Sequence, residues 1–279
     1  MSNKILVTSG CSFTADEPTW AHHLADQIDV EHHNVAMSGA GNHIISSEVI
    51  RKVELLLKDG VNTSDLLVGV QWSGLFRFDL VVNNGLDSPI KRPVHLANGC
   101  KIRQWDYPSD TENTWIMTAG STALGFWPSY YLLMSKEQTY TQTLEQILRV
   151  QWYLKSKNIQ YFMFTGWDIF TEGTKGERSH LGNDVMSKPN QFTDEIYDSS
   201  EHILISDNCK WFGYLFDMID FDCFWTHNSA TTKKGGMVQW LRETQSPHTT
   251  FISSNNYHPS SKSHAAFAND VLRELIKNV

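Results

Sequence analysis

Lys4-Ile-Leu-Val-Thr-Ser-Gly10-Cys-Ser12-Phe-Thr14 is a short apolar run that stops at a glycine and presents a serine before a helical pattern begins. An apolar run of this length bounded by glycine reads as a buried parallel strand feeding a tight turn. Ser12 then stands at the carboxyl edge of that strand, where open α/β sheets bind their ligands. A serine between a glycine and a helix also serves as an N-cap, so the local sequence leaves two roles open.

The same unit recurs along the chain. Asp16 to Gln27 carries Trp20 and Leu24, continued by Ile28, at helical spacing. Val30 to Met37 is a second strand ending in Ser38-Gly-Ala-Gly-Asn42, and Ile44 to Lys58 is amphipathic. This turn lacks the third glycine of a dinucleotide fingerprint and the acidic residue that follows one. Asp65 to Trp72 is a third strand, Ser135 to Lys157 the longest helix and Gln160 to Thr165 a fourth strand. Trp211 to Ile219 reads as a short apolar helix, Phe221 to Trp225 as a fifth strand, and Gly236 to Thr244 as another helix. The expectation is a single domain over residues 1–279, a three-layer α/β/α, doubly wound parallel sheet of about five strands. Two long insertions, at about 75–134 and 166–208, lose helical periodicity and gather proline or glycine. Trp105, Trp127, Tyr130 and Tyr131 give the first of them an aromatic content that suits either sugar stacking or simple burial.

Composition narrows the function. The net charge of -8 and the lack of a basic patch argue against a nucleic-acid partner. Cys11, Cys100, Cys209 and Cys223 show no metal-binding or disulfide spacing and fit a reducing compartment. No metal and no cofactor is expected. No apolar run approaches the roughly 20 residues of a membrane span, and the start lacks the features of a secretory signal, so cytoplasmic synthesis without a membrane partner is expected. Near the end, Pro259 biases His258 away from helix and places its imidazole in a loop before the terminal helix. His264 falls on that helix and reads as a helix-face residue, and His22 and His23 as surface residues.

Three blocks carry a resemblance. Gly10-Cys-Ser12-Phe-Thr14 looks like the first block of the SGNH (GDSL-type) hydrolase superfamily, Asn34-Val-Ala-Met-Ser-Gly39 like the second, and Asn255-Asn-Tyr-His258-Pro259 like the last. The chain also resembles bacteriophage-encoded members. The resemblance implies a flavodoxin-like sheet and ester hydrolysis, with Ser12 as nucleophile and His258 as its base. An unassisted serine hydroxyl is a weak nucleophile, and a neutral imidazole can take its proton near pH 7. The resemblance further implies an oxyanion hole made of the Ser12 and Gly39 N–H groups and a third-block Asn side chain.

Two positions depart from the family pattern. The third block reads Gly69-Val-Gln71-Trp72, so the side-chain donor is expected from Gln71 or from Asn42 in the neighbouring turn. Loss of one oxyanion donor slows such enzymes on the order of 100-fold or more. Asn255 holds the place of the triad acid, three residues before His258; it can orient an imidazole but not stabilise its charge. Arg77, just after the third strand, suits either an anionic substrate or a surface salt bridge, and Trp72, at the strand's end, is expected at the substrate. The sequence reading is therefore a serine esterase acting on acetyl or other acyl esters of a small molecule or carbohydrate. A non-catalytic binding protein or virion structural protein on a decayed SGNH fold is the second reading, and the oligomeric state stays open.

Overall fold

The structure is a computed structural model that describes residues 4–15, 18–75, 77, 79–83, 113–117, 135–173, 202–208, 211–227, 235–244, 251–253 and 256–277. Strands β1 (Ile5–Ser9), β2 (Glu31–Asn34), β3 (Leu66–Trp72), β4 (Gln160–Thr165) and β5 (Phe224–Trp225) form one sheet in the order 2-1-3-4-5. Every pairing in it is parallel. This is the strand order of a doubly wound, flavodoxin-like α/β fold.

The central strands β1, β3 and β4 are apolar because helices cover both faces, while the edge strand β2, Glu31-His-His-Asn34, is polar and only partly buried. Val7, Val68 and Val70 point to one face and pack with Ile45, Val49 and Val53 of α3 (Asn42–Lys58) and Leu144, Ile147 and Leu148 of α4 (Lys136–Ser156). Leu6, Phe162 and Phe164 point to the other face. There they meet Trp20 and Leu24 of α2 (Trp20–Ile28), Leu241 of α5 (Met237–Thr244) and Phe267 of α6 (Ser261–Phe267). Past α6 the chain continues through a π-turn at Ala268–Leu272 to Leu275. Gly69 pairs with Phe162 across β3 and β4, and a Cβ on Gly69 would lie 2.5 Å from the phenyl ring. The glycine is what allows that ring to lie across its neighbour.

The expected helix starts hold where capping signals were strong: the Ser135 hydroxyl accepts the Gln138 N–H at 3.0 Å. Between Trp211 and Ile219 the expectation needs correction, because only Tyr214–Asp217 is α-helical and Trp211, Phe212, Tyr214 and Met218 are exposed. Within the first expected insertion, Asp79–Asn83 pairs antiparallel with Asn113–Met117; within the second, Thr171–Gly173 pairs with His202–Leu204. The aromatic residues Trp105, Trp127, Tyr130 and Tyr131 lie outside the described residues. Among the described residues, no helix is long and apolar enough to cross a membrane.

The chain leaves β1 through α2 on one face to reach β2, then returns through α3 on the opposite face to β3. That reversal opens a crevice at the carboxyl ends of β1 and β3.

Candidate active site

Ser12 enters this crevice from a tightly held turn. A Cβ on Gly10 would lie 2.3 Å from Thr14 Oγ1 and 2.8 Å from Gln71 Oε1, so the chain can bend there only as glycine. The short helix α1 (Ser12–Ala15) then starts, with the Cys11 carbonyl accepting the Thr14 and Ala15 N–H groups at 2.9 and 3.0 Å. Asn34 Nδ2 donates to the Thr14 carbonyl at 2.7 Å, and Trp20 Nε1 donates to Thr14 Oγ1 at 2.9 Å. Beneath the turn, Gln71 Oε1 accepts from the Cys11 N–H at 3.1 Å, the Cys11 thiol at 3.2 Å and the Thr14 hydroxyl at 3.3 Å.

His258 meets Ser12 from the far end of the chain. Asn256–Pro259 pairs antiparallel with Phe251–Ser253, and the next helix begins with the Ser260 hydroxyl accepting the Ser263 N–H at 3.2 Å. His258 Nε2 lies 2.7 Å from Ser12 Oγ. If Ser12 donates in this contact, the imidazole proton sits on Nδ1, an assignment made from the roles of the atoms. Among the described residues the Ser12 hydroxyl bonds to His258 and to no helix N–H, so its own side chain does not cap α1. Phe13 stands edge-on to the His258 ring at 5.4 Å. Asn255, the expected orienting residue, lies outside the described residues.

The second turn lies alongside the first. Beyond β2 the ladder continues, with the Val35 N–H donating to the Thr8 carbonyl at 2.8 Å and the Met37 N–H to the Gly10 carbonyl at 3.0 Å. Gly39 follows Met37 by two residues as Ser12 follows Gly10 by two. Gly39 has φ 88°, a left-handed conformation that favours glycine. Among the described residues the N–H groups of Ser12 and Gly39 make no hydrogen bond, which leaves both able to donate to a ligand.

The side-chain donors expected for the oxyanion are corrected. Gln71 Nε2 donates to the Trp72 carbonyl at 2.5 Å while Oε1 serves the Cys11 turn, so the amide is committed below Ser12. Asn42 Nδ2 donates to the Ser73 carbonyl and to Thr143 Oγ1, both at 3.2 Å, and Oδ1 accepts the Ser73 N–H at 2.8 Å. Both amides lock strand ends together. Trp72 also leaves the substrate site: it has 0% exposure, and its indole N–H points to Met163 Sδ at 3.4 Å within the core. Its position at the end of β3 puts its side chain on the face covered by α3 and α4.

Arg77 follows the end of β3 and is half-buried. Its guanidinium lies 5.0 Å over the Trp167 ring, and Trp167 stands edge-on to Phe13 at 5.3 Å. Trp167 follows the end of β4, and neither Phe13 nor Trp167 was singled out from sequence. His264, expected on a helix face, is instead buried at 4% exposure, and burial pushes its pKa down to about 3. It is therefore neutral at pH 7 and adds no charge beside His258. His22 and His23 are half-buried rather than fully exposed.

Among the described residues, no group of three or more His, Cys, Asp or Glu side chains is arranged to hold a metal ion. No protein-family model matches the chain, and no curated protein is significantly similar to it.

Proposed function

We propose that the protein is a serine esterase of SGNH type, with Ser12 as nucleophile and His258 as general base. The observation that carries this reading is the 2.7 Å contact between Ser12 Oγ and His258 Nε2 at the sheet's switch-point crevice. Ser12 Oγ attacks the acyl carbon as His258 Nε2 takes the hydroxyl proton. The carbonyl oxygen becomes an oxyanion that accepts from the Ser12 and Gly39 N–H groups. Collapse expels the alcohol, which receives the proton from His258, and leaves an acyl-serine. Water, deprotonated by His258, then releases the acid and restores the hydroxyl.

The substrate is an acetyl or other acyl ester on a carbohydrate or small molecule. The aromatic content of residues 75–134 supports a sugar acceptor, and the Arg77 guanidinium over Trp167, which itself stands edge-on to Phe13 beside Ser12, supports a substrate with negative charge near the ester. A fluorophosphonate probe tests the nucleophile. Stoichiometric labelling of Ser12 in folded protein, lost in Ser12→Ala, is the expected result. An unlabelled wild type overturns the esterase reading in favour of a non-catalytic binding module.

A further inference from the structure

Asp79 begins the hairpin strand that follows β3, yet its carboxylate reaches back to the turn before α3. Oδ1 accepts the Gly41 N–H at 2.9 Å and Oδ2 accepts the Ile44 N–H at 3.0 Å, while the His43 N–H also faces the carboxylate. The side chain is 5% exposed and sits at the positive end of a 17-residue helix. The fit is close, since a Cβ on Gly41 would lie 2.3 Å from the Arg77 carbonyl oxygen and 2.7 Å from Asp79 Oδ2. Gly41 is two residues from Gly39. On the other side of the same segment, the Asn42 amide is fixed to Ser73.

We propose that Asp79 is a positioning residue for the oxyanion hole: its carboxylate holds the Gly39–Asn42 segment against the end of β3 and so keeps the Gly39 N–H aimed at the substrate carbonyl. This rests on the esterase reading. The two carboxylate oxygens accept one backbone N–H each, so a single side chain fixes the start of α3 at both Gly41 and Ile44. The groups facing Asp79 are Arg77, which favours the carboxylate, and His43 of α3; Arg149 of α4 and burial hold the His43 imidazole below its usual range. The paired strand Asn113–Met117 contains no titratable residue. Burial outweighs the N–H donors and Arg77 and pushes Asp79 up to about 7.

The test begins with fluorophosphonate labelling of the wild type, which judges the esterase reading by itself. In active enzyme, Asp79→Asn is expected to lower kcat for p-nitrophenyl acetate about 10- to 100-fold with KM changed less than twofold. A variant with wild-type kcat, or one whose loss lies in KM instead of kcat, overturns the proposal. Hydrogen exchange on wild-type protein covers the case in which Asp79→Asn does not fold or the wild type is inactive. The Gly41 and Ile44 amides are expected to exchange far more slowly than unprotected amides at pH 7, and exchange at the unprotected rate overturns the proposed hold.

Discussion

Ser12 Oγ and His258 Nε2 lie 2.7 Å apart although 246 positions separate the two residues in the chain. Residues that act as one proton-transfer unit fail together. Ser12→Ala and His258→Ala should each lower kcat on p-nitrophenyl acetate on the order of 10⁴- to 10⁶-fold, and the double variant should lose little more. Steady-state kinetics on the three variants checks this. Multiplicative losses in the double variant would mean that the two side chains act independently.

Gln71 supports the Cys11–Thr14 turn from below, its Oε1 accepting from Cys11 and Thr14. Gln71→Leu removes the acceptor of the Cys11 N–H and of the Thr14 O–H and leaves both donor protons without an acceptor at a fully buried site, although Thr14 Oγ1 still accepts from Trp20. A loss of about 1–3 kcal/mol in urea unfolding is expected, with reduced kcat as the Ser12 turn relaxes. Unchanged stability would show that the turn keeps its geometry without the amide.

Trp72 belongs to the core. Trp72→Phe should destabilise the protein by about 1–2 kcal/mol through the space it opens and leave KM unaltered. A several-fold rise in KM at equal stability would return Trp72 to the substrate.

The role proposed for Arg77 is to separate substrates by charge. Arg77→Gln should lower kcat/KM about 10-fold or more for aryl esters with a carboxylate near the acyl group, and leave neutral esters within twofold. Equal losses on both would remove Arg77 from charge recognition.

Two buried groups oppose each other in the pH dependence of stability. His264 moves from an ordinary 6.5 down to about 3, so its contribution is complete above pH 6.5 and is lost as pH falls toward 3. Asp79 moves from 3.8 up to about 7, so its contribution is complete below pH 3.8 and is lost as pH rises through 7. Each slope is about 1.4 kcal/mol per pH unit at most. Between pH 4 and 6 they offset in the wild type. His264→Gln should therefore make unfolding free energy fall with rising pH in that window, and Asp79→Asn should make it climb. Urea titrations at pH 4.5, 5.5 and 6.5 read both slopes; parallel curves for all three proteins would contradict this account.

Most of the fold was legible in the chain. The apolar runs at Ile5–Ser9, Leu66–Trp72 and Gln160–Thr165 are buried central strands, and a strand closed in on both faces has a local signature. Ser12 and His258 were singled out as a pair through the resemblance of the three blocks; the glycine turn and the His-Pro pair by themselves restrict only the backbone at each residue. Gln71, Asn42 and Trp72 were misplaced for a common reason: side-chain type and strand position say which groups can donate or stack, not which neighbours have already engaged them. Asp79 gave no signal, since the N–H groups it accepts belong to a turn 38 positions upstream.

The sequence by itself determined the alternation of strand and helix, the parallel sheet and the two turns that end β1 and follow β2, since all of these follow from local apolar periodicity and glycine placement. Only the tertiary structure decided that His258 reaches Ser12, that Gln71 lies under the turn and that Asp79 grips the second turn. Those pairings depend on chain crossing and packing between distant segments, and the spacing of residues along the chain does not encode which buried donor meets which acceptor.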